Sequence, residues 1–290
     1  MEFLTTLING LSQGGVYAMI AIGYTMVYGI AKMLNFAHGD IIMVGGYTLL
    51  IFLNMTGNPL VAIAAAILLC IVLGVVIEKV AYKPLRGASP LAVLITAIGV
   101  SYLLQSIAQI TQGSNAKMVT FGDMGVVKIG ELVIQTKTVI TLISTIVVMV
   151  ALSFFIKYSK TGRAMIATSE DRAATQLMGI NVNKIITITF AIGSGLAALA
   201  GFFSLLETPQ ISSTFGAMPG IKAFTAAVIG GIGSIPGAMF GGILLGLIEC
   251  FTAKVPAISP YTGAIEFGIL IIILLVKPSG ILGKKRREKV

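Results

Sequence analysis

The sequence predicts an all-α polytopic integral membrane protein, and three observations lead to that fold class. Hydrophobic residues make up 56% of the 290-residue chain, charged residues only 11%, and the mean hydropathy is +0.98. A soluble domain of this length needs more charged surface. The apolar stretches run for about 17 to 24 residues without alternating, which is typical of membrane-spanning helices rather than of barrel strands.

Nine apolar segments are candidates for helices that span or re-enter the membrane. They are residues 7–30, 38–54, 60–78, 90–111, 137–156, 184–206, 219–235, 236–252 and 262–277. If the glycine-rich hairpin formed by 219–235 and 236–252 is two true spans, nine crossings result; if it re-enters, seven result. Both counts are odd and place the termini on opposite sides, whereas a count of eight, the second choice, places them on one side. We expect about 7–9 helices in one domain.

The basic residues indicate which segments face the cytosol. Of 20 lysines and arginines, six lie in 277–289, five in 157–184 and three in 79–86. Positive loops stay on the cytosolic side, so these segments, including a basic tail at 278–290, are predicted to be cytosolic. The loop 112–136 has near-balanced charge and suits the external side. Membrane lipid, and not nucleic acid, is therefore the expected partner of the net charge of +9.

A short amphipathic helix is predicted within the cytosolic loop 157–183. Ser169 is a good N-cap, and Glu170 and Asp171 follow where the helix dipole favours negative charge. Gly179 can end the helix in a left-handed turn. An apolar stripe at helical spacing is formed by Ala173, Ala174, Leu177 and Met178. A helix of about ten residues is not stable alone in water, so we expect it to fold against lipid or, as the flat Ala-Ala face favours, against a partner protein.

Several motifs of the chain resemble one family of transport proteins. Ala173-Ala174, followed five residues later by Gly179, resembles the Glu-Ala-Ala…Gly coupling loop of permease subunits of ATP-binding-cassette (ABC) importers. Three further stretches are similar to the LivH-type permeases of branched-chain amino acid importers: Asn35-Phe-Ala-His-Gly-Asp40, Thr96-Ala-Ile-Gly-Val-Ser101 and residues 223–238. Together these motifs are spread over most of the chain, from residue 35 to residue 238. One departure is Asp171-Arg172, which stands where the common pattern has Glu just before Ala-Ala.

The resemblance implies that residues 1–290 form a single transmembrane permease domain in the inner membrane of a bacterium or archaeon. The implied cargo is branched-chain or related amino acids. The implied partners are two cytosolic ABC ATPase subunits, a paralogous second permease and an external substrate-binding protein. The residues expected to contact the ATPase are Ser169, Glu170, Asp171, Arg172, Ala173, Ala174, Leu177 and Gly179. The substrate, and whether the permeases pair as a homodimer or a heterodimer, stay open.

The sequence contains no recognisable catalytic or energy-converting motif. Gly280-Ile-Leu-Gly-Lys-Lys lacks the spacing and the hydroxyl group of a phosphate-binding P-loop. One histidine and two cysteines provide neither a metal-ligand set nor a nucleophile with its base. We therefore expect no enzymatic activity, no metal and no cofactor.

Two short motifs are candidates for a gate or for the translocation pathway. Asn35, His38 and Asp40 follow the first helix near the predicted cytosolic edge. They form either a gate or ATPase contact, or a plain turn in which Asn35 or Asp40 caps the next helix. Gly233 and Pro236 interrupt the glycine-rich hairpin, where they place broken helix ends near the pathway or form only a tight turn.

Glu266 is the acidic residue expected to lie deepest in an apolar segment, where inserting a charge costs about 2.5–3.5 kcal/mol. It either pairs with a lysine such as Lys222 or Lys254, or contacts the substrate. It is also the one credible ion-coordinating group for the alternative function, an ion-coupled secondary transporter of small amphipathic solutes.

Overall fold

The structure, a computed structural model, describes residues 2–122, 124–129 and 132–283. These residues form eleven α-helices: α1 Glu2–Ala31, α2 His38–Thr56, α3 Pro59–Ile77, α4 Pro90–Gln112, α5 Thr136–Tyr158, α6 Lys160–Glu170, α7 Arg172–Leu177, α8 Val182–Glu207, α9 Ala217–Gly230, α10 Ile235–Lys254 and α11 Thr262–Val276. Two antiparallel pairs of short strands join β1 Lys117–Met118 to β4 Gln210–Ile211 and β2 Val126–Ile129 to β3 Leu132–Gln135. Residues 284–290 of the predicted basic tail lie outside the described residues.

Eight helical segments in the described part of the chain are long and apolar enough to span a membrane. They correspond to all the predicted segments except 219–235, where the helix α9 has only 14 residues. The predicted polytopic all-α fold is therefore confirmed. A helix of 14 residues is about 21 Å long, shorter than the hydrocarbon core of about 30 Å.

Contacts between elements define one end of the bundle, which we call the basic end. There the Ile281 amide donates to the Ile229 carbonyl oxygen at 2.8 Å, and the Arg86 guanidinium donates to Asn183. The basic end comprises residues 78–88, 159–183, 231–234 and 277–283. The described parts of the three basic clusters thus lie on one side of the bundle.

The opposite end carries the start of α1. Glu2 lies 4.0 Å from Lys254 at the end of α10, and Lys137 lies 3.7 Å from Glu207 at the end of α8. Because α10 runs from the basic end to the opposite end, it is a full crossing and not one arm of a re-entrant hairpin. The first and last described residues lie at opposite ends, as an odd number of crossings requires.

The central helix of the bundle is α1, in which every residue from Gly14 to Val27 is buried. Glycines allow α10 to approach it closely. A Cβ added to Gly14 would lie 2.7 Å from the Ile243 Cα, and a Cβ added to Gly242 would overlap Ala18. Small residues at such crossings bring helix backbones together where lipid provides no hydrophobic driving force.

Two helices begin inside the bundle rather than at one of its ends. The ring of His38, the first residue of α2, packs against Tyr24 of α1 with ring centroids 4.7 Å apart. Gly216, which precedes α9, is so close to Gly39 that a Cβ on Gly216 would overlap the Gly39 carbonyl oxygen. Non-helical backbone at membrane depth needs protein or a water-filled cavity around it, and here the starts of α2 and α9 cover each other.

Candidate functional site

The short helix predicted in the loop 157–183 is present, but as two short helices instead of one. The first, α6, begins after Ser159, whose Oγ accepts a hydrogen bond from the Gly162 amide at 2.8 Å. The prediction of Ser169 as N-cap is wrong, because its hydroxyl group donates to the Ile166 carbonyl oxygen at 2.7 Å within the last turn of α6. Glu170 is the last residue of α6, not part of the first turn of the coupling helix.

The second helix, α7, has its own cap and its own terminator. Asp171 is extended, and its carboxylate accepts from the Ala174 amide at 3.0 Å, so it is the N-cap that was expected at Ser169. A carboxylate in this position satisfies an amide that has no partner within the helix. Gly179 has φ +79°, the left-handed turn that the sequence predicted.

The apolar side chains of α7 and of the residue after it face away from the rest of the chain. Leu177 is 88% exposed and Met178 is 81% exposed. Ala173 and Ala174 are exposed as well, whereas Thr175 is buried. Large apolar side chains grouped on a surface outside the spanning segments indicate an interaction site.

Arg172 connects α7 to the end of the central helix. Its Nε and Nη2 donate to the Ile30 carbonyl oxygen at 3.1 and 2.7 Å. The Lys32 ammonium donates to the Gly29 carbonyl oxygen and, at 3.1 Å, to that of Ser169. The last carbonyl groups of a helix carry partial negative charge and lack amide partners, so cations are favourable there. The Arg172 bonds therefore connect α7 to α1, and the Lys32 bond connects the end of α6 to it.

A cleft of about 460 Å³ lies beside α7 at the basic end. Its polar and charged lining residues are Arg86, Arg172, Gln176, Asn181 and Asn183, and no described acidic residue lines it. Burial, and then the positive charge of Arg86, lower the pKa of the Arg172 guanidinium from its ordinary value. Arginine nevertheless stays protonated at neutral pH, so the cleft holds two positive charges close together.

Asn35, His38 and Asp40 are all buried, with exposures of 2%, 1% and 3%; Asn35 contacts the basic end, whereas His38 and Asp40 lie deeper, beside Tyr24 and Gln105. Tyr82 donates to the Asn35 side-chain oxygen at 2.8 Å, and Gln105 donates to the Asp40 carboxylate at 2.8 Å. The N-cap of α2 makes no side-chain hydrogen bond, so the alternative that Asn35 or Asp40 caps this helix is wrong. The edge position was expected because a polar motif between two apolar runs is typical of a surface loop, but this loop folds back along α1.

Gly233 and Pro236 lie in the turn that joins α9 to α10 at the basic end. Gly233 has φ +97°, a conformation that favours glycine, and Pro236 lies in the first turn of α10, where its missing amide costs nothing. This geometry is that of a tight turn, the second of the two interpretations. The broken helix ends that lie inside the bundle are instead those at His38 and Gly216.

Glu266 is fully buried and paired with one of its two predicted partners. The Lys222 ammonium lies 3.2 Å from Glu266 and 2.7 Å from Glu249. Tyr17 donates to the other oxygen of Glu249 at 2.6 Å. We call Lys222, Glu249 and Glu266 the buried charge cluster, although 12% of the Lys222 side chain and 24% of the Glu249 side chain are exposed. Sequence reasoning missed the share of Glu249 in the cluster, because no spacing pattern links α10 to α9 and α11.

Comparison with known proteins gives a consistent assignment. Residues 6–275 match the family described as "Branched-chain amino acid transport system / permease component". The chain is 46% identical to the high-affinity branched-chain amino acid transport system permease protein BraD of Pseudomonas aeruginosa, over 100% of this chain and 98% of that one. It is 43% identical, over the same shares, to LivH of Escherichia coli.

A more distant relative is the ribose import permease protein RbsC of Escherichia coli, with 25% identity over 94% of this chain and 85% of that one. The family match extends over nearly the whole chain, and the identities to BraD and LivH extend over all of it. The chain therefore belongs to the family of permease components of branched-chain amino acid transport systems.

Proposed function

We propose that this chain is the membrane-spanning permease subunit of an ABC importer that carries branched-chain or related amino acids into a bacterial or archaeal cell. BraD and LivH, by their names, transport branched-chain amino acids, and their full-length similarity supports that cargo here. RbsC, by its name, imports ribose, so related scaffolds serve unlike solutes. We therefore assign the final choice among amino acids to an external binding protein.

The exposed face of α7 is the observation that carries the ATPase-coupled mechanism. Leu177 and Met178 need a partner surface, and a cytosolic ATPase subunit supplies it in this proposal. We assign the basic end to the cytosol because its lysines and arginines favour that side. Two ATPase subunits then act on two permeases, this chain and a second one.

Movement of α7 reaches the interior through α1. When the ATPases close on ATP, α7 moves with them, and Arg172 pulls on the Ile30 carbonyl group in the last turn of α1. The central helix packs against α10 through glycines and against His38 through Tyr24. The shift thereby acts on the contact between the starts of α2 and α9, which we propose as the moving part of the gate.

The ion-coupled alternative depends on a free carboxylate at depth. In the buried charge cluster, Lys222 neutralises Glu266 and also binds Glu249, which supports a structural role for these carboxylates. In the assembled importer, Glu266→Gln should leave uptake dependent on ATP and indifferent to sodium and proton gradients. Loss of gradient-driven uptake in this variant would favour the alternative.

Reconstitution tests the proposed function. The purified chain alone in liposomes should show neither ATP hydrolysis nor concentrative leucine uptake, since both require the partner subunits. Addition of the ATPases, the second permease and the binding protein should restore ATP-dependent uptake. Robust uptake by the chain alone, driven by an ion gradient, would refute the proposal.

Crosslinking tests the docking site itself. Gln176→Cys places a thiol on the exposed side of α7, and Ser114→Cys places a matched thiol on an exposed position at the opposite end of the bundle. Only the first should form a crosslink to a co-expressed ATPase subunit. Equal crosslinking of both, or of neither, counts against docking at α7.

A further inference from the structure

The cleft beside α7 holds one guanidinium group, that of Arg172, which has no carboxylate partner among the described residues. We propose that it receives an acidic side chain of the ATPase subunit, so that docking combines an ionic contact in the cleft with an apolar contact on α7. The inference rests on the proposed function and specifies the partner surface further. That surface must present an aspartate or glutamate beside an apolar groove.

Three positive features converge on the cleft. Two are the guanidinium groups of Arg86 and Arg172. The third is the N-terminus of α8, a helix of 26 residues whose cap Asn181 and first residues line the cleft. A helix of this length carries about half a positive charge at its N-terminus. Guanidinium groups also match the planar geometry of a carboxylate.

Only one of the two guanidinium groups is already paired with an acid, because Glu78 forms a salt bridge with Arg86. Glu78 is fully buried behind Arg86, and its two oxygens are shared between Arg86 and the Thr187 hydroxyl group. The Arg86 Nε is buried and has no hydrogen-bond partner among the described residues. The hydrogen bonds of Arg172 both go to the uncharged Ile30 carbonyl group. Within the described chain, the second guanidinium therefore has no carboxylate partner.

Position favours a protein carboxylate over a free anion. Gln176 and Gly179 line the cleft and also belong to α7 and its terminal turn. A partner that covers the exposed side chains of Leu177 and Met178 therefore reaches the cleft with the same surface. A carboxylate bound there loses water while its positive partners are held in place, which makes the contact specific as well as attractive.

An isosteric substitution fills the cleft with negative charge from this chain. Asn183 accepts from Arg86, and it lies in the first turn of α8, where an acid is favourable. Asn183→Asp should therefore fold normally while competing with the partner's carboxylate. We expect copurification of the co-expressed ATPase to weaken by about tenfold or more, because a buried ionic contact is lost.

A matched control separates this effect from net charge. Lys160→Gln changes the charge of the same bundle end by the same amount, and Lys160 is exposed at the start of α6, away from the cleft. It should leave copurification close to wild type.

Added NaCl should weaken the wild-type complex more than the Asn183→Asp complex, since screening acts on the ionic contact. Neutralising the matching acid on the ATPase should reduce wild-type assembly but leave Asn183→Asp assembly unchanged.

The outcomes separate a failure of this inference from a failure of the proposed function on which it rests. If Gln176→Cys crosslinks to the ATPase but Asn183→Asp assembles like Lys160→Gln, the acidic contact is refuted and docking stands. If the cleft serves another anion, inorganic phosphate or phosphatidylglycerol vesicles should raise the melting temperature of wild type but not of Asn183→Asp. Such a rise in melting temperature, together with unchanged ATPase assembly of Asn183→Asp, also overturns the inference. Comparing the two probes then shows whether the cleft binds free phosphate or a lipid headgroup.

Discussion

The buried charge cluster and the exposed face of α7 both reverse the usual placement of side chains, and they do so for different reasons. In the cluster, charged groups lie in the interior, where Lys222 binds two carboxylates supplied by α10 and α11. On α7 and directly after it, Leu177 and Met178 lie in the open. Charged side chains in apolar surroundings need an oppositely charged partner within the same chain, because an unpaired charge there is costly. An apolar patch outside the membrane can stay exposed to water until another protein binds it. The first region should therefore govern stability and the second assembly.

Breaking the cluster should have the largest effect on stability. Lys222→Met leaves two carboxylates without their cation in the bundle, and it should lower the free energy of unfolding by about 3–5 kcal/mol. Denaturant titration in detergent micelles measures this change. Lys254→Met is the control, because Lys254 pairs with Glu2 at the surface. The Lys254 side chain is 50% exposed and the Glu2 side chain is 92% exposed. The control should change the free energy by about 0.5 kcal/mol or less. If the two variants lower the free energy of unfolding equally, the cluster does not stabilise the fold.

A substitution of Gly179 that strains the turn after α7 should have an effect of intermediate size, confined to α7. Gly179 has a left-handed backbone and open space around it, so within this chain Gly179→Val strains the backbone and causes no side-chain clash. The left-handed conformation costs a β-branched residue about 1–2 kcal/mol, and the cost should appear as faster hydrogen exchange in α7 and weaker ATP-dependent uptake. Gly179→Asn is the control, because asparagine tolerates this conformation. If valine and asparagine behave alike, the turn does not set the position of α7.

Removing the apolar contact should have the smallest effect on stability and a large one on assembly. Leu177→Ser changes an exposed side chain, so the free energy of unfolding should stay within about 0.5 kcal/mol of wild type while ATPase copurification falls. Leu245→Ser, at a fully buried leucine of α10, should instead lower the free energy by at least about 2 kcal/mol. If Leu177→Ser destabilises the isolated chain as much as Leu245→Ser, the face of α7 is a packing surface of this chain and not a docking surface.

The α7 region shows how far local sequence signals extend. The polar loop, the apolar stripe and the glycine terminator were all predictable, because capping, helical spacing and the left-handed turn depend on a few neighbouring residues. The break at Asp171 was missed. Ser169 and Asp171 are both residue types that commonly cap helices. The hydrogen bonds of Arg172 to the end of α1 favour a helix that begins after Asp171.

The sequence by itself determined the membrane class, all eight full-length spans of the described chain and the grouping of the basic segments. Hydropathy and charge add up along the chain, so these properties need no knowledge of which helices meet. Only the tertiary structure placed His38 and Asp40 inside the bundle, joined Lys222 to two acids and put Arg86 beside Arg172. Those arrangements depend on contacts between distant residues, such as the backbone approach of Gly39 to Gly216, and no local pattern encodes such contacts.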